Sequence, residues 1–338
     1  MTSKRKWIPA FCALLPLSLV SGCSASHTGT PSSVHNSVGK GTKSVSIAYA
    51  GSLQLVNDTM IAPVFQKATG IAYQGRGGGA YGVAHLIASD EISPGVFESI
   101  GTGPFSQMGK HTPTWAIGFA SSPLVVAYSP NSPYAPTLKA IADHKRPLKD
   151  LFTLMQNPHF HLGRTNPDTD PQGQAFILMV HLAVKALGLP KAAVHRILGS
   201  NDNAKQIFAE ESILSRLQSG QLDASSAYLS EAVQRHLPYI PLPSTIDFGD
   251  PADKNLYAKA TMSLSNGQSV HGSPIEVYVT TVPGNASASA VRFVSFLLSN
   301  QGRRIYKENG FLINGPIIWG KKSGIPASIV SQLNGWKP

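Results

Sequence analysis

The sequence predicts an α/β fold with largely parallel sheets, and three observations carry that reading. A β-rich run at 44–50 (SVSIAYA) is followed by a Gly51-Ser52 turn and a stretch, 53–69, whose apolar residues recur at helical spacing up to Gly70. The unit then repeats: 71–74 reads as a strand, Gly77-Gly78-Gly79 as a turn and 81–89 as a helix. Alternating strands and helices continue to the end of the chain, which is the pattern of an α/β protein rather than of an all-α or all-β one.

Further along, 115–119 and 124–128 read as strands with Pro-rich turns after them, and 148–155 as a short helix. The run 162–165 ends a strand, and the loop 166–172 opens the strongly apolar helix 173–187. Helices are expected at 191–198, 211–219 and 230–235, with a strand at 224–228. The rhythm then changes. Residues 260–264 and 269–270 flank Asn266-Gly267, a pair that favours a two-residue hairpin turn. A β-rich run at 275–281 precedes amphipathic helices at 288–298 and 301–309, the second stopped by Gly310. The runs near 124–128 and 275–281 are candidates for segments that cross between two lobes, so lobe I is expected to comprise 44–124 and 279–338, and lobe II 125–278.

The first residues concern location. Lys4, Arg5 and Lys6 precede an apolar run at 11–20 that stops at Val20-Ser21-Gly22-Cys23. A basic start, a short apolar core and small residues before the cut predict a secretory signal over 1–22. Its last four residues resemble a bacterial lipobox, which implies a lipid attached at Cys23 and an exported protein anchored to the outer face of the cell membrane. The segment 23–43, rich in Ser, Thr, Gly and His, is too poor in large apolar residues to fold and reads as a flexible tether. Of the two cysteines, Cys12 lies within the signal, so maturation leaves no pair for a disulfide and the core alone must stabilise the domain. The formal net charge is +10, but the basic residues are scattered rather than striped with aromatics. That argues against a nucleic-acid partner and suits contact with an anionic cell surface.

Four turns place small residues or hydroxyls at helix starts, where free N–H groups and the helix dipole favour an anion. They are Gly51-Ser52, Gly77-Gly78-Gly79-Ala80, Asp170-Pro171-Gln172-Gly173 and the approach to Glu210-Glu211. Each alone is also an ordinary helix cap. The glycine run is neither a Walker loop nor a dinucleotide fingerprint.

Four segments, AYAGSL at 48–53, NPDTDPQG at 166–173, SGQLD at 219–223 with Tyr228, and NGQSVHGSPIEV at 266–277, resemble the tungstate- and molybdate-binding proteins of ABC importers, particularly their archaeal-type branch. The likeness implies a two-lobed type II periplasmic-binding-protein fold with two crossing hinge strands and an oxyanion in the cleft. It also implies six-coordinate binding of the oxyanion's metal, with Asp170 and Glu210 adding carboxylate oxygens to the four oxo groups. The remaining donors would be the Ser52 hydroxyl, the amides of Gly79 and Ala80, an amide near Pro171 to Gly173, with Gln172 central, and the Tyr228 hydroxyl. The family often has a serine where this chain has Gly79, which puts ligand selectivity in question. Asp168 is the alternative carboxylate.

Two carboxylates facing an anion make sense as ligands of a high-valent metal centre, which accepts hard oxygens. Arg76 and Arg164 flank the site segments and read as supporting or surface residues. The implied role is therefore non-catalytic: capture of tungstate or molybdate, without a cofactor, by a monomer that delivers it to a membrane permease and its ATPase. Sulfate or ferric iron are the alternatives within the binding class. The alternative outside it is a metal-dependent enzyme or metal-binding protein built on His159 and His161 with His144 nearby, a weak signal because no third ligand at fixed spacing accompanies them.

Overall fold

A computed structural model of the protein describes residues 43–336. The secretory signal, Cys23 and all but the last residue of the tether lie outside the described residues.

The chain opens with β1 (Ser44–Ala50) and a helical segment of mixed winding. It begins as a 3-10 turn (Gly51–Leu53), widens to a π-helical turn (Val56–Ile61) and ends as α1 (Ala62–Thr69). Gly70 caps it in the left-handed region. Then come β2 (Ala72–Gly78), α2 (Ala80–Ala88), β3 (Val96–Ile100), β4 (Trp115–Ser121) and β5 (Leu124–Tyr128). Helices α3 (Ala135–Ala142) and α4 (Lys149–Leu154) lead to β6 (Leu162–Gly163), α5 (Pro171–Ala186), α6 (Ala192–Leu198) and α7 (Glu210–Gln218). After β7 (Ala224–Tyr228) follow α8 (Leu229–Gln234), β8 (Tyr239–Pro241), α9 (Ser244–Asp247) and α10 (Lys254–Tyr257). The chain closes with the hairpin β9 (Thr261–Ser263) and β10 (Ser269–His271), then β11 (Glu276–Thr281), α11 (Ala288–Leu297), α12 (Asn300–Glu308), β12 (Leu312–Gly320) and α13 (Ala327–Asn334).

Two main sheets organise the fold, and the larger and smaller lobe are here the parts built around each. The larger sheet has the order β12-β4-β11-β3-β1-β2, the smaller β6-β7-β5-β8. The expectation of largely parallel sheets is corrected here. Among the described strands, parallel pairing is confined to β1 with β2 and β3, and to β6 with β7, beside an isolated parallel bridge of Arg164 with Ile207, while β11 pairs antiparallel with both β3 and β4, β12 with β4, and β5 with both β7 and β8. In the larger sheet the returning chain enters β11 running against β3 and β4, and in the smaller sheet β5 runs against both β7 and β8.

β4 and β5 are separated by only Ser122 and Pro123 yet belong to different sheets, and β11 lies wholly in the larger one. The chain thus passes from the larger sheet to the smaller at Ser122-Pro123 and is back in the larger at Glu276. The expected lobe boundary at 278/279 falls inside β11, and that at 124/125 falls inside β5.

The hairpin is present, but its Asn-Gly pair does not form a two-residue turn. Gly267 N donates to Leu264 O at 3.0 Å and Leu264 N to Gln268 O at 2.9 Å, with Gly267 at φ +82°. This is a three-residue loop closed by a left-handed glycine, the next most common solution.

One buried polar cluster sits in the larger lobe. Glu98, on β3, accepts hydrogen bonds from Tyr306 (2.8 Å) and Asn57 (3.3 Å). Burial pushes its carboxyl up to about 7, and those two donors pull it only part of the way back. The folded state therefore keeps a proton that the unfolded chain releases, so Glu98 makes stability fall as pH rises from the unfolded value of 4.5 towards 7, by at most about 3 kcal/mol. Urea melts at a series of pH values should show Glu98→Gln losing less stability than the parent between pH 5 and 8; an identical slope in both would contradict the assignment.

Candidate functional site

The parallel register of β1 and β2 pairs Ala50 with Gly78. The residues that follow, Gly51-Ser52 and Gly79-Ala80, consequently lie side by side at the carboxyl ends of two strands, where α/β sheets present ligand sites. Both turns open helical segments, so their backbone N–H groups point out of the sheet edge.

The smaller lobe faces them with two carboxylates. Asp170 is the N-cap of α5 and its Oδ1 accepts the Gln172 amide at 2.8 Å, an ordinary cap that also fixes the carboxylate's direction. Glu210 opens α7, and its Oε1 accepts the Ser52 amide across the cleft at 2.8 Å. The lobes touch closely here. A Cβ on Gly51 would lie 2.5 Å from Glu210 Oε2, and one on Gly79 would lie 2.6 Å from the Thr169 carbonyl oxygen and 3.3 Å from Asp170 Cβ. Asp170 thus sits against one turn of the larger lobe and Glu210 against the other.

Tyr228, at the end of β7, completes the group. It is 1 % exposed, and its hydroxyl has no hydrogen-bond partner among the described residues, as is true of the Ser52 hydroxyl. Burial, then the charges of Asp170 and Glu210, raise the phenol far above its usual range, so it stays a neutral donor. Two buried hydroxyls without partners next to two buried carboxylates are an arrangement that a bound species would satisfy.

All of Ser52, Gly79, Ala80, Asp170, Gln172, Glu210 and Tyr228 are brought into this region. Gln172 does so by its amide. Its side chain is turned inward, donating to Glu231 (2.6 Å) and accepting from Ser226 (2.9 Å). Asp168 is elsewhere: its Oδ1 accepts the amide of Ser265 in the hairpin loop at 3.0 Å.

Three features escaped the sequence reading. Glu231 accepts the Tyr228 amide (2.8 Å) as well as the Gln172 side chain, so it holds two site residues at once; burial raises its carboxyl to about 7. No local motif announces it, because a capping box needs Ser or Thr where this chain has Tyr228. The Thr169 carbonyl accepts the amides of Tyr81 (3.1 Å) and Gly82 (3.3 Å), an interlobe link at the start of α2 that no motif announces. Arg164, read as a supporting or surface residue, is fully buried, while Arg76 is exposed.

Beside the site, a cleft of about 280 Å³ is bordered by Tyr81, Pro171, Gln174, Tyr228, His271 and Ile275. The histidines of the enzyme alternative do not gather: His144, His159 and His161 are exposed, and His161 Nδ1 lies 3.8 Å from Asp223. Among the described residues no group of three or more His, Cys, Asp or Glu is placed to hold a metal ion, and no helix is long and apolar enough to cross a membrane.

Residues 45–312 match the family described as bacterial extracellular solute-binding protein. The chain belongs to that family. Among relatives of this solute-binding protein, a putative ABC transporter molybdenum-binding protein of Haloferax volcanii is 29 % identical over 253 residues, covering 75 % of this chain and 77 % of that one. The molybdate/tungstate-binding protein WtpA of Pyrococcus abyssi is 29 % identical over 212 residues, covering 56 % and 60 %. The likeness seen in the sequence motifs is thus met by archaeal relatives bearing that name. In fold, the protein is similar to the periplasmic molybdate-binding protein of Azotobacter vinelandii, with a TM-score of 0.56 at 18 % identity over 80 % of this chain and 99 % of that one. The family is one of solute-binding proteins.

Proposed function

We propose that this solute-binding protein captures tungstate or molybdate outside the cytoplasm and delivers it to the permease of an ABC importer. The observation that carries the reading is the convergence of Asp170, Glu210, Ser52 and Tyr228 from both lobes onto one buried spot. A sulfate or phosphate site is better served by neutral donors and Arg, because buried carboxylates repel an anion that cannot accept them as ligands. A metal-centred oxyanion turns the same carboxylates into ligands, with Asp170 and Glu210 bound to the metal and the Ser52 and Tyr228 hydroxyls and the Gly79 and Ala80 amides donating to the oxo groups. The names of the archaeal relatives support the same choice.

Uptake follows from the two-lobed design. With the lobes apart, the turns after β1 and β2 and the loop before α5 are open to solvent; closing them buries the ion and presents a surface the permease can distinguish. Calorimetric titration of the mature domain with tungstate, molybdate, sulfate and phosphate tests this. Tight binding of the first two alone is the expected result, and preference for sulfate or phosphate would refute it.

We also propose that Cys23 carries a lipid that holds the protein at the outer face of the membrane, with 24–43 as its leash, on the strength of the lipobox-like run. Cys23→Ser should move the protein from the membrane to the soluble fraction of fractionated cells while leaving affinity unchanged; continued membrane retention would count against the anchor.

A further inference from the structure

We propose that Arg164 is the positioning residue that sets the separation of the two carboxylates, and through it whether a bound oxyanion is drawn into six-coordination. This rests on the coordination reading given above. Arg164 lies on the segment that leads to Asp170, and among the described residues its hydrogen-bond partners lie on the segment that leads to Glu210. Its amide donates to Gln206 O (2.8 Å) and its carbonyl accepts the Phe208 amide (3.0 Å). Its side chain repeats the link: Nε donates to Gln206 Oε1 at 3.1 Å and Nη2 to Ser200 O at 2.9 Å. Gln206 is itself fixed by donation to Ile197 O at 2.7 Å.

From this clamp both carboxylates follow along short, stiff paths. On one side the Gln174 side chain donates to Pro167 O (2.8 Å), and Gly173 packs so closely on Thr165 O that a Cβ would lie 2.4 Å from it. On the other, Phe208 is two residues from Glu210, whose helix starts with Ile213 N donating to Ala209 O. Burial lowers the guanidinium only to about 10, so it is a buried cation at neutral pH, with the charge of Asp202 opposing the shift. A planar fork can grip two acceptors in fixed directions, which a lysine ammonium cannot, so retention of charge alone does not preserve the clamp.

The test is X-ray absorption at the tungsten edge of the tungstate-loaded protein, together with tungstate titrations and thermal melts, for the parent, Arg164→Lys and the milder Gln206→Ala. The parent is expected to show six-coordinate tungsten. The variants should show a shift towards four-coordinate tungstate and a loss of roughly tenfold or more in affinity, a loss that disappears when Glu210→Ala is already present. Six-coordination in both variants would overturn the proposal, including the case where affinity falls only in step with the melting temperature. If Arg164→Lys does not fold, Gln206→Ala carries the test. Four-coordinate tungsten in the parent would overturn the coordination reading itself, and this proposal with it.

Discussion

Replacing Asp170 or Glu210 by alanine is expected to weaken tungstate and molybdate binding by about 3 kcal/mol each, roughly a hundredfold in Kd. Each change removes a proposed metal ligand, and each also releases an amide that the carboxylate organises: Gln172 N for Asp170 and Ser52 N for Glu210. Both residues are buried, at 3 % and 5 % exposure, so water cannot readily substitute for the lost oxygen. Glu210→Ala also deletes a hydrogen bond between the lobes, and should therefore reduce closure as well as coordination. Asp168→Ala serves as the control. Its carboxylate ties the hairpin loop at Ser265, away from the two turns, and its loss should cost less than about 1 kcal/mol in affinity. Calorimetry on the three variants decides the matter: equal affinities would remove Asp170 and Glu210 from the site.

The second large effect is expected at Gly79. Putting a serine there restores the hydroxyl common in the resembling family, and on donor count alone it should tighten binding. The packing predicts the opposite. The backbone at Gly79, φ −52° and ψ 126°, accepts any residue, so strain is not the issue. The obstacle is the Thr169 carbonyl, 2.6 Å from where a Cβ would stand, and it belongs to the other lobe. That same carbonyl accepts the amides of Tyr81 and Gly82. Gly79→Ser must push the lobes apart and break this link, at an expected cost of about 2 kcal/mol, roughly thirtyfold in affinity. A gain in affinity on titration would mean that the packing of Gly79 against the Thr169 carbonyl is not the one in which the ligand is held.

The same position shows where sequence reading stops. That Gly79 begins a helix beside a possible anion site follows from a glycine run before an apolar period. That its missing side chain makes room for a carbonyl ninety residues away does not, because no local pattern encodes which loop of the other lobe will arrive there. β3 is hidden from local patterns for a related reason. Its run VFESI carries Glu98 at a position that is fully buried, and an acidic residue in a short strand reads as a turn until Tyr306 and Asn57 are seen to bond it. β12 contains Gly315 and Pro316, which argue against a strand; the structure accommodates them at a sheet edge where the register shifts between Ile313 and Ile317. By contrast β1, β5 and β7 were legible to the residue. Each is a short β-rich run bounded by turn signals, and short-range preferences suffice for that.

By itself, then, the sequence determined the alternation of strands and helices, the turns that open α2, α5 and α7, and the chemical identity of the groups at those turns, since all of these depend on neighbours a few residues apart. The tertiary structure decided the mixed direction of the sheets, the burial of Arg164 and Glu231, and the meeting of Asp170 and Glu210 with Gly79 and Ser52. Those depend on contacts between segments far apart in the chain, whose geometry is set by how two lobes pack and not by the local preference of any one of them.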